Sequence, residues 1–177
     1  MSARWPILVV LAVAAAAGGA VAGGVPGGGA DAPAGLGRVV KVVDGDTIHV
    51  QLDSARERVR YIGVDTPETT HPTKGAQCYG RAASRFNAQL VGGELVRLER
   101  DVEERDRYGR LLAYVRRARD GLFVNAELAR LGYALPLSIA PDVRYADRFA
   151  RLARQAREQG RGLWSACPGA TISATLP

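Results

Sequence analysis

The chain has 177 residues, 47% of them hydrophobic, which suits one globular domain with extra terminal segments rather than several domains. Its formal charge is +6 and its sequence pI about 9.8, a balance that draws polyanions to the surface without naming one. Two cysteines and two histidines leave no thiolate or imidazole set for a zinc-type site.

The N-terminus has the pattern of an export signal over residues 1–22. Arg4 lies in a short n-region, Ile7 to Ala17 is an apolar core, and Ala20-Val21-Ala22 offers a small-residue cleavage site. The other reading is an uncleaved membrane anchor facing outside, since Trp5 to Ala22 is uncharged and close to the minimum spanning length. Residues 23–35 form a Gly/Pro/Ala linker with nothing to bury, and a domain is expected over 36–167.

Gly37 to Val43 and Thr47 to Leu52 are β-branched runs separated by Asp44-Gly45-Asp46, which predicts strand, tight turn, strand. Arg58 to Val64 is a third run, stopped by Asp65-Thr66-Pro67. Gln77 to Val91 places Ala82, Phe86 and Leu90 at four-residue steps, predicting a helix with one apolar stripe. Glu94 to Glu99 and Arg110 to Arg116 read as strands, and Asn125 to Leu131 as a short helix closed by Gly132. Asp142 is expected to cap a longer helix that presents Tyr145, Phe149, Leu152, Ala153 and Ala156 on one face. Residues 168–177 are expected to be a flexible tail. In an exported chain the even pair Cys78 and Cys167 reads as a disulfide. Closing a loop of that length stabilises by roughly 4–5 kcal/mol in the chain-entropy model.

Chemistry concentrates in three blocks: Val43-Asp44-Gly45-Asp46-Thr47, Arg60 with Val64-Asp65-Thr66-Pro67-Glu68, and Asp106-Arg107-Tyr108-Gly109-Arg110. Carboxylates at strand ends suit a hard cation with oxygen ligands, Ca²⁺ before Zn²⁺. Arginines beside them suit a phosphate, which a guanidinium meets with two parallel hydrogen bonds.

The three blocks, in this order and spacing, resemble the thermonuclease family, whose type member is staphylococcal nuclease. The resemblance runs from about Gly37 to Ser165. It implies an α+β fold, a five-stranded Greek-key β-barrel of the oligonucleotide-binding (OB) type with three α-helices. It makes Asp46, Asp65 and the Thr66 carbonyl the Ca²⁺ ligands, with Asp44 a turn former or an acid holding a metal water. Glu68 becomes the general base or the residue that orients the attacking water, and Arg60 and Arg110 the catalytic arginines. Arg107 and Tyr108 fall beside the terminal phosphate, and Tyr133 near a base-contacting aromatic. The implied activity is a secreted, Ca²⁺-dependent endonuclease, monomeric and free of the membrane once its signal is removed. It would cut DNA and RNA to 3′-phosphates, preferring single-stranded or A/T-rich regions. Two rivals remain: a catalytically silent nucleic-acid-binding barrel, and a small anion-binding module without turnover. Neither His49 nor His71 receives a role.

Overall fold

The computed structural model describes residues 35–53, 55–69, 76–167 and 169. The expected signal, nearly all of the linker and tail, and the loop around His71 lie outside them.

Five strands close into a barrel: β1 (Gly37–Val42), β2 (Thr47–Leu52), β3 (Ala55–Tyr61), β6 (Leu111–Arg117) and β5 (Leu95–Glu99), hydrogen-bonded in that order. All neighbours are antiparallel except β3 and β6, which run parallel, so the chain must cross over between them. Alternation fills the barrel: Ile48, Val50, Val59, Val96 and Val115 are wholly buried, while the residues between them face out. Three helices pack around it, α1 (Gly80–Val91), α2 (Val124–Arg130) and α3 (Ala146–Glu158), followed by the single turn α4 (Leu163–Ala166). The α+β barrel with three full helices is thus as expected. Among the described residues, no helix is long and apolar enough to cross a membrane.

The predicted third strand is two. β3 ends at Tyr61, and β4 (Gly63–Asp65) leaves the barrel to pair with β7 (Leu135–Leu137). Asn125 Nδ2 takes the Ile62 carbonyl, and Gly63, at φ +81°, turns where the Phe149 ring leaves no room for a Cβ. α1 begins at Gly80 rather than Gln77, and its buried face is Ala83, Asn87, Leu90 and Val91, about one residue round from the predicted stripe. Asn87 sits on that inner face, bonded to the Tyr61 hydroxyl and the Asp44 carbonyl. Asp142 does not cap α3, whose N-cap is Tyr145 without a side-chain bond. Asp142 is buried, accepting the Val102 and Glu103 N–H groups at 2.8 and 2.9 Å. Cys78 and Cys167 are bridged, tying the approach to α1 to the end of α4.

Candidate active site

The site begins in the turn between β1 and β2. Asp44 Oδ1 accepts the Asp46 N–H at 3.0 Å, an Asx turn that aims Asp46 inward. Gly45 is required by contact: Thr66 lies over it so closely that a Cβ would overlap its side chain. Asp46 is 5% exposed, and its Oδ2 accepts both the N–H and the hydroxyl of Thr66, at 2.7 and 2.8 Å. Its Oδ1 accepts Thr47 Oγ1 at 3.2 Å. From α1, Asn87 donates to the Asp44 carbonyl and accepts the Tyr61 hydroxyl, each at 3.0 Å, so one amide holds the turn against β3.

Arg60, at the end of β3, is clamped between two carboxylates. Its Nη1 meets Asp46 Oδ1 at 2.5 Å and its Nη2 meets Asp65 Oδ1 at 2.7 Å, with the Val64 carbonyl as a further acceptor. Burial works against its charge, and Asp46, Asp65 and Asp44 more than offset it, so the guanidinium is held above its ordinary pKa. One cation does not satisfy four acids. Asp44 is pushed up to about 6 by burial and then by the Asp46 charge. Burial also raises Asp65 despite Arg60. Glu68 is raised by burial, then by Asp46 and Asp65, with Arg60 and Arg110 pulling the other way.

The second arginine comes from the loop before β6. Asp106 Oδ1 accepts the backbone N–H groups of Tyr108 and Arg110, both at 2.9 Å, and its Oδ2 takes Arg110 Nε at 2.6 Å. Those bonds outweigh burial and keep Asp106 below its ordinary pKa. Gly109 makes the turn at φ +74°. Tyr108 is 67% exposed, flanked by Arg107 and Arg110 at 4.9 and 5.4 Å from its ring centre. A cleft of about 570 Å³ is lined by Arg60, Arg107, Tyr108 and Arg110, with Leu112 and Ile139 among its apolar walls.

The structure therefore brings Arg60, Arg107, Tyr108 and Arg110 to one cleft, and Asp46 and Asp65, which do not line it, are bound to Arg60. Thr66 is buried against Asp46, and Glu68 lies exposed on the following loop, outside the cleft lining. Tyr133 is not among the residues lining this cleft and stacks on Phe86 at 4.0 Å. Sequence reasoning missed Asn87, Asn125 and the partner of Asp142. The signal for the first two was a polar residue within an apolar helical face. Asp142 gave no such signal, since its donors lie 40 and 39 residues away.

Among the described residues, no three His, Cys, Asp or Glu side chains are arranged to hold a metal ion by themselves. The expected set is different, two carboxylates and a carbonyl, and its chemistry fits a hard divalent cation. The donors are oxygens, and three neighbouring acids are held toward protonation, by burial first and by the nearby carboxylate charge after it. Asp46 accepts four hydrogen bonds, so exchange with a cation would replace its contact with Arg60.

Residues 58–166 match the family model described as staphylococcal nuclease homologue. A thermonuclease of Staphylococcus hyicus is 41% identical over 128 residues, covering 72% of this chain and 75% of that protein. A thermonuclease of Staphylococcus intermedius is 42% identical over 126 residues, covering 71% and 74%. The endonuclease YncB of Bacillus subtilis is 39% identical over 127 residues, covering 71% of this chain and 59% of its own length.

Proposed function

The chain belongs to the staphylococcal nuclease family and is a nuclease hydrolase, and on that premise we propose that it is an exported, Ca²⁺-dependent endonuclease cutting the 5′ P–O bond of DNA and RNA. Products carry 3′-phosphates, and unpaired or A/T-rich stretches are preferred because a cleft of this size admits one strand more readily than a duplex. The proposed working unit is residues 36–167, acting as a monomer outside the cytoplasm.

The observation that carries this reading is the pair of fixed arginines on one cleft, backed by more carboxylates than they can neutralise. Asp46, Asp65 and the Thr66 carbonyl would hold the Ca²⁺, which supplies charge to a phosphate oxygen and polarises a bound water. Arg60 and Arg110 bind the equatorial phosphate oxygens, which gain negative charge as phosphorus becomes pentacoordinate. Asp106 fixes Arg110 before substrate arrives, so little reorganisation remains. Arg110 also faces the departing 5′ oxygen. Glu68 orients the attacking water and accepts its proton, helped by a carboxyl held above its ordinary range. Arg107 and Tyr108 receive a terminal phosphate at the cleft mouth.

Digestion of plasmid and of a labelled RNA with Ca²⁺, with excess chelator, and with Zn²⁺ after chelation tests the reading. Cleavage to 3′-phosphate ends is expected in the first case alone. Full activity in chelator would remove the metal from the scheme. Strand binding without cleavage under every condition would leave a silent binding barrel.

A further inference from the structure

β3 carries three arginines at two-residue intervals: Arg56, Arg58 and Arg60. Strand alternation puts them on one face, the outer one, because Val59 and Tyr61 between and beyond them are core. Successive Cα atoms in such a row are about 6.7 Å apart, so Arg56 lies about 13 Å along the strand from Arg60. The register extends the charge sideways. Lys41 of β1 pairs with His49 of β2, which pairs with Arg58, and Arg38 pairs with Gln51, which pairs with Arg56. Arg38, Lys41, Arg56 and Arg58 are all exposed.

Acid is scarce on this face. Among the described residues none of these four cations is paired with a carboxylate, and Arg38 donates to the Gly93 carbonyl. Glu57 belongs to the opposite face, where both its oxygens bind Arg105. Asp53 is the remaining acid of the hairpin, at its turn. The crowding leaves a mark on His49, whose imidazole is held below its ordinary pKa by burial and then by Arg56, Lys41 and Arg58. Unpaired cations at such density cost stability through mutual repulsion, and a polyanion relieves it.

We propose that Arg58 and Arg56, with Lys41 and Arg38 beside them, form a phosphate track that continues from Arg60 and holds the single strand running out of the cleft. The track rests on the nuclease reading for its occupant, since the row starts at the arginine placed on the scissile phosphate. The strand's phosphates lie along β3 at a spacing of the same order as the arginine row. No Phe, Tyr or Trp stands in these rows, so bases are not stacked and the grip is independent of sequence. It is an electrostatic hold that releases counterions, and therefore weakens steeply with salt.

The test compares the wild type with Arg56→Gln/Arg58→Gln and with a charge-matched control on α3, Arg151→Gln/Arg154→Gln, all exposed sites. Binding of a fluorescent single strand of about ten nucleotides is followed by anisotropy in excess chelator, which suppresses metal-dependent cleavage, across a salt series. The β3 variant should lower the slope of log affinity against log salt by about 0.7 for each lost contact, and the control should not. About sevenfold less affinity is then lost between about 50 and 200 mM salt than in the wild type. With Ca²⁺, the ratio of kcat/KM on that strand to kcat/KM on a dinucleotide should fall in the β3 variant alone. Equal slopes in both variants would overturn the track, leaving only net charge. Loss of binding to anionic phospholipid vesicles with strand affinity intact would overturn it in favour of a lipid surface. No turnover by the wild type on either substrate would sink the nuclease reading instead, while the chelator measurement still reports on the track.

Discussion

Two clusters in this molecule are built from the same residue types, and they behave oppositely. At the barrel mouth, Asp44, Asp46, Asp65 and Glu68 share the clamped Arg60, and three of the four acids are held above their ordinary pKa. At the seam between the barrel and α3, Glu99 and Asp101 meet Arg116 and Arg144, and the hydroxyls of Tyr145 and Tyr114 donate to them. There the bonds from Tyr145, Arg144 and Arg116 outweigh burial and hold Glu99 below its ordinary pKa. The difference is burial first, since the mouth acids lie deeper than Glu99, and stoichiometry second. The seam has a donor for each acceptor and behaves as a tether. The mouth has more anions than cations and keeps a demand that a ligand must meet.

That contrast can be broken most directly by activity. Arg110→Ala should lower kcat by about 10²–10³-fold, the scale for removing one positioned oxyanion donor, with smaller losses in strand affinity. Glu68→Gln should follow the same pattern. Arg144→Ala at the seam should leave kcat within about twofold, and single-turnover cleavage of an oligonucleotide measures all three. A seam variant as damaged as a mouth variant would mean that the two clusters are not functionally distinct.

Stability divides them next. Arg60→Ala leaves Asp46 buried without its cation and should cost about 3 kcal/mol in urea titrations done in chelator. Arg144→Ala removes a solvent-screened pair and should lower stability far less than Arg60→Ala does. Calcium sharpens the point, because a ligand bound only by the folded state at a hundred times its Kd adds about 2.7 kcal/mol. Thermal melts should rise with Ca²⁺ in the wild type and in Glu99→Gln, and not in Asp65→Asn. The smallest effect is a pH dependence at the seam. A depressed carboxylate contributes stability above its unfolded pKa, near 4.5, and that contribution is lost as pH falls through the lower folded value. Glu99→Gln should therefore flatten the acid limb of the stability curve slightly, by less than about 1 kcal/mol for so exposed a pair.

Much of the mouth was legible because its residues are local in sequence. Asp44, Gly45 and Asp46 form a turn whose chemistry depends on three adjacent residues, and Asp106 reaches Arg110 within one loop. The break at Ile62 was not legible. Arg58 to Val64 reads as one strand run in spite of Gly63, and what divides it is Asn125 and Phe149, residues far down the chain. Asp142 shows the same limit in reverse, since a cap signal beside a helix was taken up by the backbone of a remote loop.

The sequence by itself determined the strand and helix periodicities, the turns, the bridged cysteine pair and the residue types available for phosphate chemistry. Those follow from side-chain alternation, turn stereochemistry and the short reach of neighbouring groups. The tertiary structure alone decided which carboxylates crowd Arg60, which amide holds the Asp44 turn, and that Arg56 and Arg58 extend from Arg60 along an outer face with few acids. Each of these depends on groups that meet only when the barrel closes. The strength of a charge interaction is set by distance and burial, and neither can be read from position along the chain.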